Sequence, residues 1–203
     1  DGMSKGVNFL MKKNKIEILN GFGKIISKNE VEVITDENKK EIHKSDNIII
    51  ATGGRSRELP NLKIDDNKVI EYRKAMTLEK QPKKIVVVGS GAIGSEFAYF
   101  YNSIGTEVIL VEYLPNILPL EDIDVSKQLE KSFKKAGVNI MTNTEVLSVD
   151  TKGKGCKVKY KNGYNEEIIE CDIVLSAVGV KTNVDNIGLE DLTKFKAFLM
   201  APP

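Results

Sequence analysis

The sequence has no tryptophan, a single histidine and only two cysteines in 203 residues. So few cysteines argue against a disulfide-rich secreted domain and favour a cytoplasmic protein. His43 has no cluster of Cys, Asp or Glu at metal-ligand spacing around it, so we expect a surface residue and no metal site. No apolar run approaches the ~20 residues that span a bilayer, and the N-terminus lacks the apolar segment of a secretion signal. A membrane protein is therefore not expected.

The two signs of charge are almost balanced. The chain carries 30 basic and 29 acidic side chains, which gives a net charge of +1. This balance gives no reason to expect a nucleic acid or an anionic membrane as partner. Hydrophobic residues make up 41% and charged residues 29%, which is ordinary for a globular protein of one or two domains. The first residue is Asp1 rather than Met, which indicates a fragment.

Residues 83–112 have the order of a dinucleotide-binding unit. An apolar run at residues 85–88 predicts a buried parallel strand, and the sequence GSGAIG follows at residues 89–94. A helical pattern then leads to a second apolar run that ends in Glu112. A GxGxxG pattern alone is weak evidence. Here it stands between a strand and a helix, with an acid 18 positions after Gly94, and this context indicates a nucleotide site.

Each residue type in this unit has a physical reason. Gly89 permits the tight turn, Gly91 lets a pyrophosphate approach the backbone, and Gly94 lets the helix pack close to the sheet. The N–H groups at the helix N-terminus would face the phosphates. Glu112 would accept hydrogen bonds from the adenosine ribose. Residues 112–121 contain no Arg or Lys that could bind a 2′-phosphate, so NAD is favoured over NADP. The alternative is a tight strand–helix turn that binds nothing.

The first 82 residues predict part of a domain and a linker. Residues 1–13 have the apolar spacing of a helix. Residues 16–19 and 46–51 predict strands, with a meander of short strands between them. Residues 55–82 are polar and interrupted by proline, which predicts a linker.

Beyond the linker, strands and helices alternate. Helices are predicted at residues 92–104 and 124–136. Residues 139–142 predict a strand, residues 145–170 a three-stranded antiparallel excursion, and residues 173–178 a return to the parallel sheet. The second helix would have Asp124 as its N-cap. The side chains expected to face the sheet are Ile93, Phe97, Phe100 and Ile104 on the first helix and Val125, Leu129 and Phe133 on the second.

The two cysteines flank a predicted hairpin whose turn lies near residue 162. If Val158 pairs with Ile168, the side chains of Cys156 and Cys171 point to opposite faces of the hairpin. We therefore expect two separate structural thiols.

Both parts of the chain end in an apolar strand followed by a glycine, and this plan resembles the pyridine nucleotide–disulfide oxidoreductase family. The resemblance covers about residues 1–190. The motifs that carry it are GFGKI at residues 21–25, ATGG at 51–54, GSGAIG at 89–94, AVG at 177–179 and NIGLE at 186–190.

The resemblance implies an α/β fold. A Rossmann-like NAD-binding domain, with a parallel sheet and an antiparallel β-meander, would occupy residues 83–180. Part of an FAD-binding domain and the linker would precede it in residues 1–82. Residues 181–203 would begin the return to the FAD domain, and residues 191–203 no longer resemble the family, as a changed reading frame would explain.

The family holds FAD in one domain and NAD in the next, so the resemblance assigns residues to both cofactors. The implied NAD contacts are Gly89, Ser90, Gly91, Ala92, Ile93, Gly94, Ser95, Glu96, Glu112, Val146 and Gly179. The implied FAD contacts are Gly23, Thr52, Gly53 and Gly54, and Glu96 would lie near the flavin ring. Two alternatives remain open. Residues 52–54 form a plain turn in one of them, and Val146 is simply a core residue in the other.

Within the family, the sequence most resembles the branch that oxidises dihydrolipoyl groups with NAD⁺. Electrons would pass from the dithiol to an enzyme disulfide, then to FAD and NAD⁺. The implied partners are the lipoyl domains of 2-oxo acid dehydrogenase complexes, and the full-length protein would be a homodimer. The family's redox-active cysteine pair and its His–Glu pair do not occur among these 203 residues. We therefore predict no catalytic residue here and no activity for this chain alone.

Two other functions fit the same residues. NADH-dependent disulfide or oxygen reductases share the architecture, whereas Glu112 argues against the NADPH-dependent members. An isolated NAD-binding module without activity is the second alternative. It would require residues 1–80 to fold by themselves, although the apolar run at residues 48–50 would then lack neighbouring strands.

Overall fold

The computed structural model describes residues 2–190 and residue 192. They form two compact units. The first takes in the chain up to Gly53 and again from Thr182, and the second is Gly54–Lys181. The hypothesis of a changed reading frame concerns residues 191–203, which lie outside the described residues except for residue 192. No helix in the described part of the chain is long and apolar enough to cross a membrane.

The first unit contains one helix and one antiparallel sheet. Helix α1 is Gly2–Lys13, as predicted for residues 1–13. The sheet has the strands Phe22–Ser27 (β1), Glu30–Ile34 (β2) and Lys40–Lys44 (β3), paired in that order. Helix α1 buries no residue, and the buried hydrophobic side chains among the described residues of this unit are Ile25, Val33 and Ile187.

Two strand predictions in the first unit are wrong. Residues 16–19 and 46–51 have no regular secondary structure, and the Ile49 side chain is 90% exposed. A strand is stable only beside a partner that pairs with its backbone, and no strand in the described part of the chain lies beside either segment. Apolar composition alone therefore misled the prediction.

His43 lies within β3 and not between strands. Its imidazole is partly buried, with Nε2 3.4 Å from a carboxylate oxygen of Glu41. The described residues contain no group of three or more His, Cys, Asp or Glu side chains able to hold a metal ion.

Residues 54–82 belong to the second unit and are not the linker that the sequence predicted. They form the strands Gly54–Ser56 (β4) and Val69–Ile70 (β5) and the short helix Tyr72–Ala75 (α2). Strand β5 joins the parallel sheet, and Leu62, Ile70 and Ala75 are buried. Most residues of this segment are polar, so the few buried apolar ones were not enough to predict that it packs in the second unit.

The second unit is built on a five-stranded parallel sheet. In order across the sheet, its strands are β5, Ile173–Ser176 (β12), Lys84–Val88 (β6), Glu107–Val111 (β7) and Asn139–Met141 (β8). Each neighbouring pair runs parallel. Strand β12 is followed by the short strand Val180–Thr182 (β13).

Both faces of this sheet are covered. Helices Ala92–Ser103 (α3) and Ile123–Ala136 (α4) cover one face, where Val87 and Leu110 pack with Tyr101 and Phe133. The other face carries an antiparallel sheet of Thr144–Asp150 (β9), Cys156–Asn162 (β10) and Asn165–Cys171 (β11). There Val86 packs with residues of β9 and β10. The predicted α/β class, with its parallel sheet and antiparallel meander, is confirmed.

The face of α3 that packs on the sheet differs from the predicted one. Phe100 and Ile104 are 50% and 44% exposed, and Ile93 and Phe97 are partly buried. The buried residues of the helix are Gly94, Ser95, Ala98 and Tyr101. Small side chains let the helix backbone approach the sheet closely, and the larger side chains flank the contact.

Helix α4 is capped two residues earlier than predicted. Its N-cap is Asp122, whose carboxylate accepts a hydrogen bond from the Asp124 N–H at 2.8 Å, so Asp124 is not the cap. Val125 is exposed, contrary to expectation, whereas Phe133 is buried. Gly137 ends the helix in the left-handed conformation.

The predicted register of the β10–β11 hairpin is wrong by one residue. Val158 pairs with Ile169, and Cys156 lies directly opposite Cys171. Asn162 pairs with Asn165 across a two-residue loop, and this loop sets the register. The two thiols therefore lie on the same face of the hairpin.

Candidate functional site

A crevice lies at the carboxyl ends of the central parallel strands. The chain leaves β6 through α3 towards β7 on one side, while β12 pairs on the other side of β6. Such a change of direction opens a crevice where α/β proteins bind ligands. A cavity of about 690 Å³ is found there, a volume suited to a cofactor.

The glycine-rich loop after β6 forms one wall of this cavity. Gly89 has φ +94°, and a Cβ on it would collide with the Ala177 carbonyl. A Cβ on Gly94 would collide with the Gly89 carbonyl, so the close contact of α3 with the loop requires glycine at both positions.

Gly91 differs from the other two glycines, because a Cβ on it would meet no described atom within 4 Å. It is the N-cap of α3, and no side chain caps the helix there. The first N–H groups of a helix have no partner within the helix and favour an anion. Open space above an uncapped helix N-terminus fits the pyrophosphate of a dinucleotide.

Glu112 is held rigidly beside this loop. It follows β7 directly, is only 7% exposed, and accepts three hydrogen bonds. The N–H and the hydroxyl of Ser90 donate to Oε2 at 2.8 and 2.6 Å, and the Leu114 N–H donates to Oε1 at 2.9 Å. Hydrogen bonds to an ionised carboxylate are the stronger kind, so these donors fix its orientation.

The sequence did not reveal the role of the Ser90 hydroxyl. A GxGxxG pattern leaves the residue between its first two glycines open. A hydroxyl in the loop after β6, together with an acid at the end of the adjacent parallel strand β7, could have predicted this hydrogen bond.

Only some of the residues predicted to bind NAD line the cavity. Those that do are Gly89, Ser90, Gly91, Glu112, Val146 and Gly179. Ala92, Ile93, Gly94, Ser95 and Glu96 lie in the first turns of α3. Gly94 and Ser95 are buried, whereas Glu96 is exposed.

The supposed linker supplies cavity residues that the sequence did not predict. Arg57, Leu59, Asn61 and Leu62 all line the cavity. The Asn61 side chain donates to the carbonyl oxygen of Val146, a predicted NAD contact. The Arg57 N–H donates to the Gly179 carbonyl at 2.9 Å. Residues 57–62 therefore help to hold two predicted site residues in place.

The residues predicted to contact FAD lie on different elements. Gly23 is exposed on β1, and Thr52 and Gly53 are exposed in a segment of the first unit without regular secondary structure. The backbone and the side chain of Asn183 donate to the carbonyl oxygens of Gly53 and Thr52, at 2.9 and 3.3 Å. Gly54 is buried in the second unit, where its carbonyl accepts from Arg73 at 2.7 Å.

The chain is similar in sequence to known proteins of one family. A sequence profile described as pyridine nucleotide-disulphide oxidoreductase matches residues 1–195. The chain is 41% identical over 193 residues to the dihydrolipoyl dehydrogenase of Zymomonas mobilis, covering 94% of this chain and 41% of that protein. It is 38% identical over 195 residues to the mitochondrial dihydrolipoyl dehydrogenase of Pisum sativum, covering 93% and 39%. The chain thus spans about two fifths of the length of these relatives.

Solved structures share the fold. LpdA from Mycobacterium tuberculosis has a TM-score of 0.82 at 27% identity, covering 93% of this chain and 42% of that one. The HOCl-induced flavoprotein disulfide reductase RclA from Escherichia coli, at 23% identity and a TM-score of 0.73, shows the likeness of fold alone, over 93% and 44% of the two chains. The profile match and the identity near 40% confirm the resemblance inferred from the motifs, and the chain belongs to the pyridine nucleotide-disulphide oxidoreductase family, whose cofactors are FAD and NAD(H).

Proposed function

We propose that the second unit binds NAD(H) in the cavity at the carboxyl ends of β6, β7 and β12. The observation that carries this proposal is the Glu112 carboxylate, held by three donors beside a glycine loop that has open space in front of it. The pyrophosphate would lie over Gly91 and the α3 N-terminus. Glu112 would accept a hydrogen bond from the adenosine ribose, and Val146 and Gly179 would line the remaining space.

The fixed charge of Glu112 would select NAD over NADP. Two of its three protein donors occupy Oε2 and one occupies Oε1, so one acceptor site on Oε1 remains for a ribose hydroxyl. A 2′-phosphate at the same place would bring a second anion against a buried carboxylate, which is strongly unfavourable.

We further propose that the chain is part of a dihydrolipoyl dehydrogenase. The sequence relatives at 38–41% identity that carry this name support the proposal. Bound FAD and NAD(H) would supply the redox chemistry. In the first unit, Gly23, Thr52 and Gly53 would form one edge of the FAD site. The domains would divide as the motifs imply, except that residues 54–82 would join the nucleotide-binding part.

The setting of the whole protein follows from the same proposal. Lipoyl domains of 2-oxo acid dehydrogenase complexes would be its partners, and the full-length protein would be a homodimer. The two cysteines are free thiols, which suits a cytoplasmic protein.

Titration of the chain with NADH and, separately, with NADPH tests the nucleotide site. Nicotinamide fluorescence is a suitable signal because the chain has no tryptophan. We expect saturable NADH binding that is at least about tenfold tighter than NADPH binding, a difference of about 1.4 kcal/mol. Equal affinity for the two nucleotides, or binding of neither, would contradict the proposal.

Variants of Glu112 separate its charge from its shape. Glu112→Gln keeps the size of the side chain and removes the charge, so the preference for NADH should shrink. Glu112→Arg should favour NADPH. Glu145→Arg is the matched control, because Glu145 is exposed and lines the same cavity but is not held by the glycine loop. If Glu145→Arg changes the preference as strongly as Glu112→Arg, general charge and not Glu112 selects the nucleotide.

The reaction itself can be tested with dihydrolipoamide, FAD and NAD⁺. The only two cysteines of the chain, Cys156 and Cys171, lie in the β10–β11 hairpin and do not line the nucleotide cavity. We therefore expect no NADH to form. Formation of NADH that persists in a Cys156→Ser, Cys171→Ser double variant would show that dithiol oxidation here needs no cysteine pair. Such a result would favour a different mechanism.

A further inference from the structure

A second cavity of about 420 Å³ lies at the amino end of the parallel strand β6, whereas the nucleotide cavity lies at its carboxyl end. It is lined by Lys83 and Lys84, where β6 begins, and by both cysteines of the chain. None of the described residues that line it also lines the nucleotide cavity. Neither the family motifs nor the proposed NAD site uses these thiols.

The geometry brings the two thiols together. Cys156 and Cys171 are directly opposite each other on β10 and β11, and their side chains are 1% and 7% exposed. They lie six residues from the Asn162–Asn165 pair that closes the hairpin, so they are a hydrogen-bonded pair of the same type. The Cα atoms of such a pair are about 5.5 Å apart. This Cα separation lies within the range of a disulfide, and the two Cβ atoms must approach each other by about 1 Å as the bond forms.

The two thiols also differ chemically. A hydrogen bond from the Cys171 thiol, together with the positive charge of Lys68, holds the pKa of Cys156 below its ordinary value despite burial. The same contact and burial raise the pKa of Cys171. The pKa values of the two neighbouring thiols therefore shift in opposite directions, as those of an attacking and a resolving cysteine do.

We propose that Cys156 and Cys171 are a redox-active dithiol that closes reversibly to a disulfide by exchange with a low-molecular-weight disulfide such as glutathione disulfide. The Cys156 thiolate attacks one sulfur of the small disulfide, whose S–S bond breaks, and one thiol leaves with the proton that Cys156 gave up. The Cys171 sulfur then attacks the mixed disulfide and loses its proton to the second leaving thiol. The protein dithiol is oxidised by two electrons, and one small disulfide is reduced to two thiols.

The equilibrium constant of this exchange shows whether the folded structure favours the disulfide between Cys156 and Cys171. The chain is brought to equilibrium with glutathione buffers from the reduced and from the oxidised side, first folded and then in concentrated urea. Free thiols are counted after alkylation by mass spectrometry. The count is unambiguous, because the chain has two cysteines in all. If the folded geometry fits the disulfide, the equilibrium constant for oxidation should be at least about tenfold larger in the folded chain, a shift of ~30 mV.

A matched variant moves one thiol to the other face of the hairpin. In Glu170→Cys, Cys171→Ser, the cysteine spacing changes by a single residue, but the new thiol points away from Cys156. Here folding should oppose disulfide formation. The proposal is overturned if folding leaves the equilibrium constant of the natural pair unchanged or lowers it. It is also overturned if the shifted pair gains as much from folding, or if oxidation of the folded chain yields only mixed disulfides or dimers.

Discussion

The two units of the chain bury their apolar side chains to very different extents. In the second unit, both faces of the parallel sheet are covered, and Ile85, Val87 and Leu110 are completely buried. In the first unit, α1 buries nothing, and Phe9 and Ile49 are 65% and 90% exposed. The units are nevertheless parts of one chain with similar apolar patterning.

The difference shows that strand-like or helix-like sequence produces a buried element only where other elements cover it. The run at residues 85–88 becomes a central strand because β7 and β12 flank it and helices and a second sheet cover it. The equally apolar run at residues 48–50 has no such neighbours in the described part of the chain. Burial of apolar area, and not composition, stabilises the element.

The largest expected effect tests this comparison directly. Leu110→Ala removes a fully buried side chain from the second unit and should lower its free energy of unfolding by about 3 kcal/mol. Ile49→Ala truncates an exposed side chain and should change stability by less than about 0.5 kcal/mol. Urea-dependent hydrogen exchange of peptides covering β6 and the 48–50 segment reports on each unit separately. Similar losses for the two variants would show that Ile49 is buried in solution.

The second effect separates packing from binding within one loop. Gly94→Ala places a methyl group against the Gly89 carbonyl and should destabilise the second unit by about 2 kcal/mol, a typical cost of overpacking. Gly91→Ala meets open space and should cost less than about 1 kcal/mol, because the only penalty is that alanine is a poorer N-cap than glycine. Its methyl group would instead occupy the place proposed for the pyrophosphate, and NADH affinity should fall. A Gly91→Ala variant that binds NADH normally would remove the pyrophosphate from that position.

The sequence predicted the second unit better than the first for a physical reason. The strand–loop–helix order at residues 83–112 and the turn glycines Gly89 and Gly137 follow local rules, so they could be predicted without the fold. The register of Cys156 against Cys171 depends on which two residues form the hairpin loop, and a composition pattern does not fix that choice. The buried face of α3 was misplaced because small residues at a close contact carry little hydrophobic signal.

The sequence predicted only the part of the candidate site that lies in one continuous motif. The glycine loop and Glu112 came from one contiguous motif. Asn61 and Arg57 reach the cavity from a polar segment far away in the sequence, and nothing local marks them. Contacts of this kind depend on the tertiary fold.

The third effect concerns the start of helix α4 in the second unit. The Asp122 carboxylate accepts from the Asp124 N–H at the start of α4, so Asp122→Ala should cost about 1 kcal/mol of the second unit's stability. Asp122→Asn keeps an acceptor and should cost much less. Asp124→Ala is the control for charge, since the Asp124 side chain is exposed and its backbone, not its carboxylate, makes the capping bond. Equal costs for the two alanine variants would mean that charge near the helix N-terminus, and not the cap, is what matters.

The smallest effect lies in the site itself. Ser90→Ala removes the 2.6 Å hydrogen bond from the hydroxyl to Glu112 but leaves the donors from the backbone N–H groups of Ser90 and Leu114. The carboxylate should stay in place with a wider range of orientations, so NADH affinity should fall by about threefold to fivefold, or roughly 1 kcal/mol. Stability should fall as well, by about 1 kcal/mol, because a buried hydrogen bond to a carboxylate is lost. Ser103→Ala, at the exposed end of α3, should leave NADH affinity unchanged. If Ser90→Ala binds NADH like the natural chain, the backbone donors alone orient Glu112. The selectivity of the second unit then rests on its fold without help from this side chain.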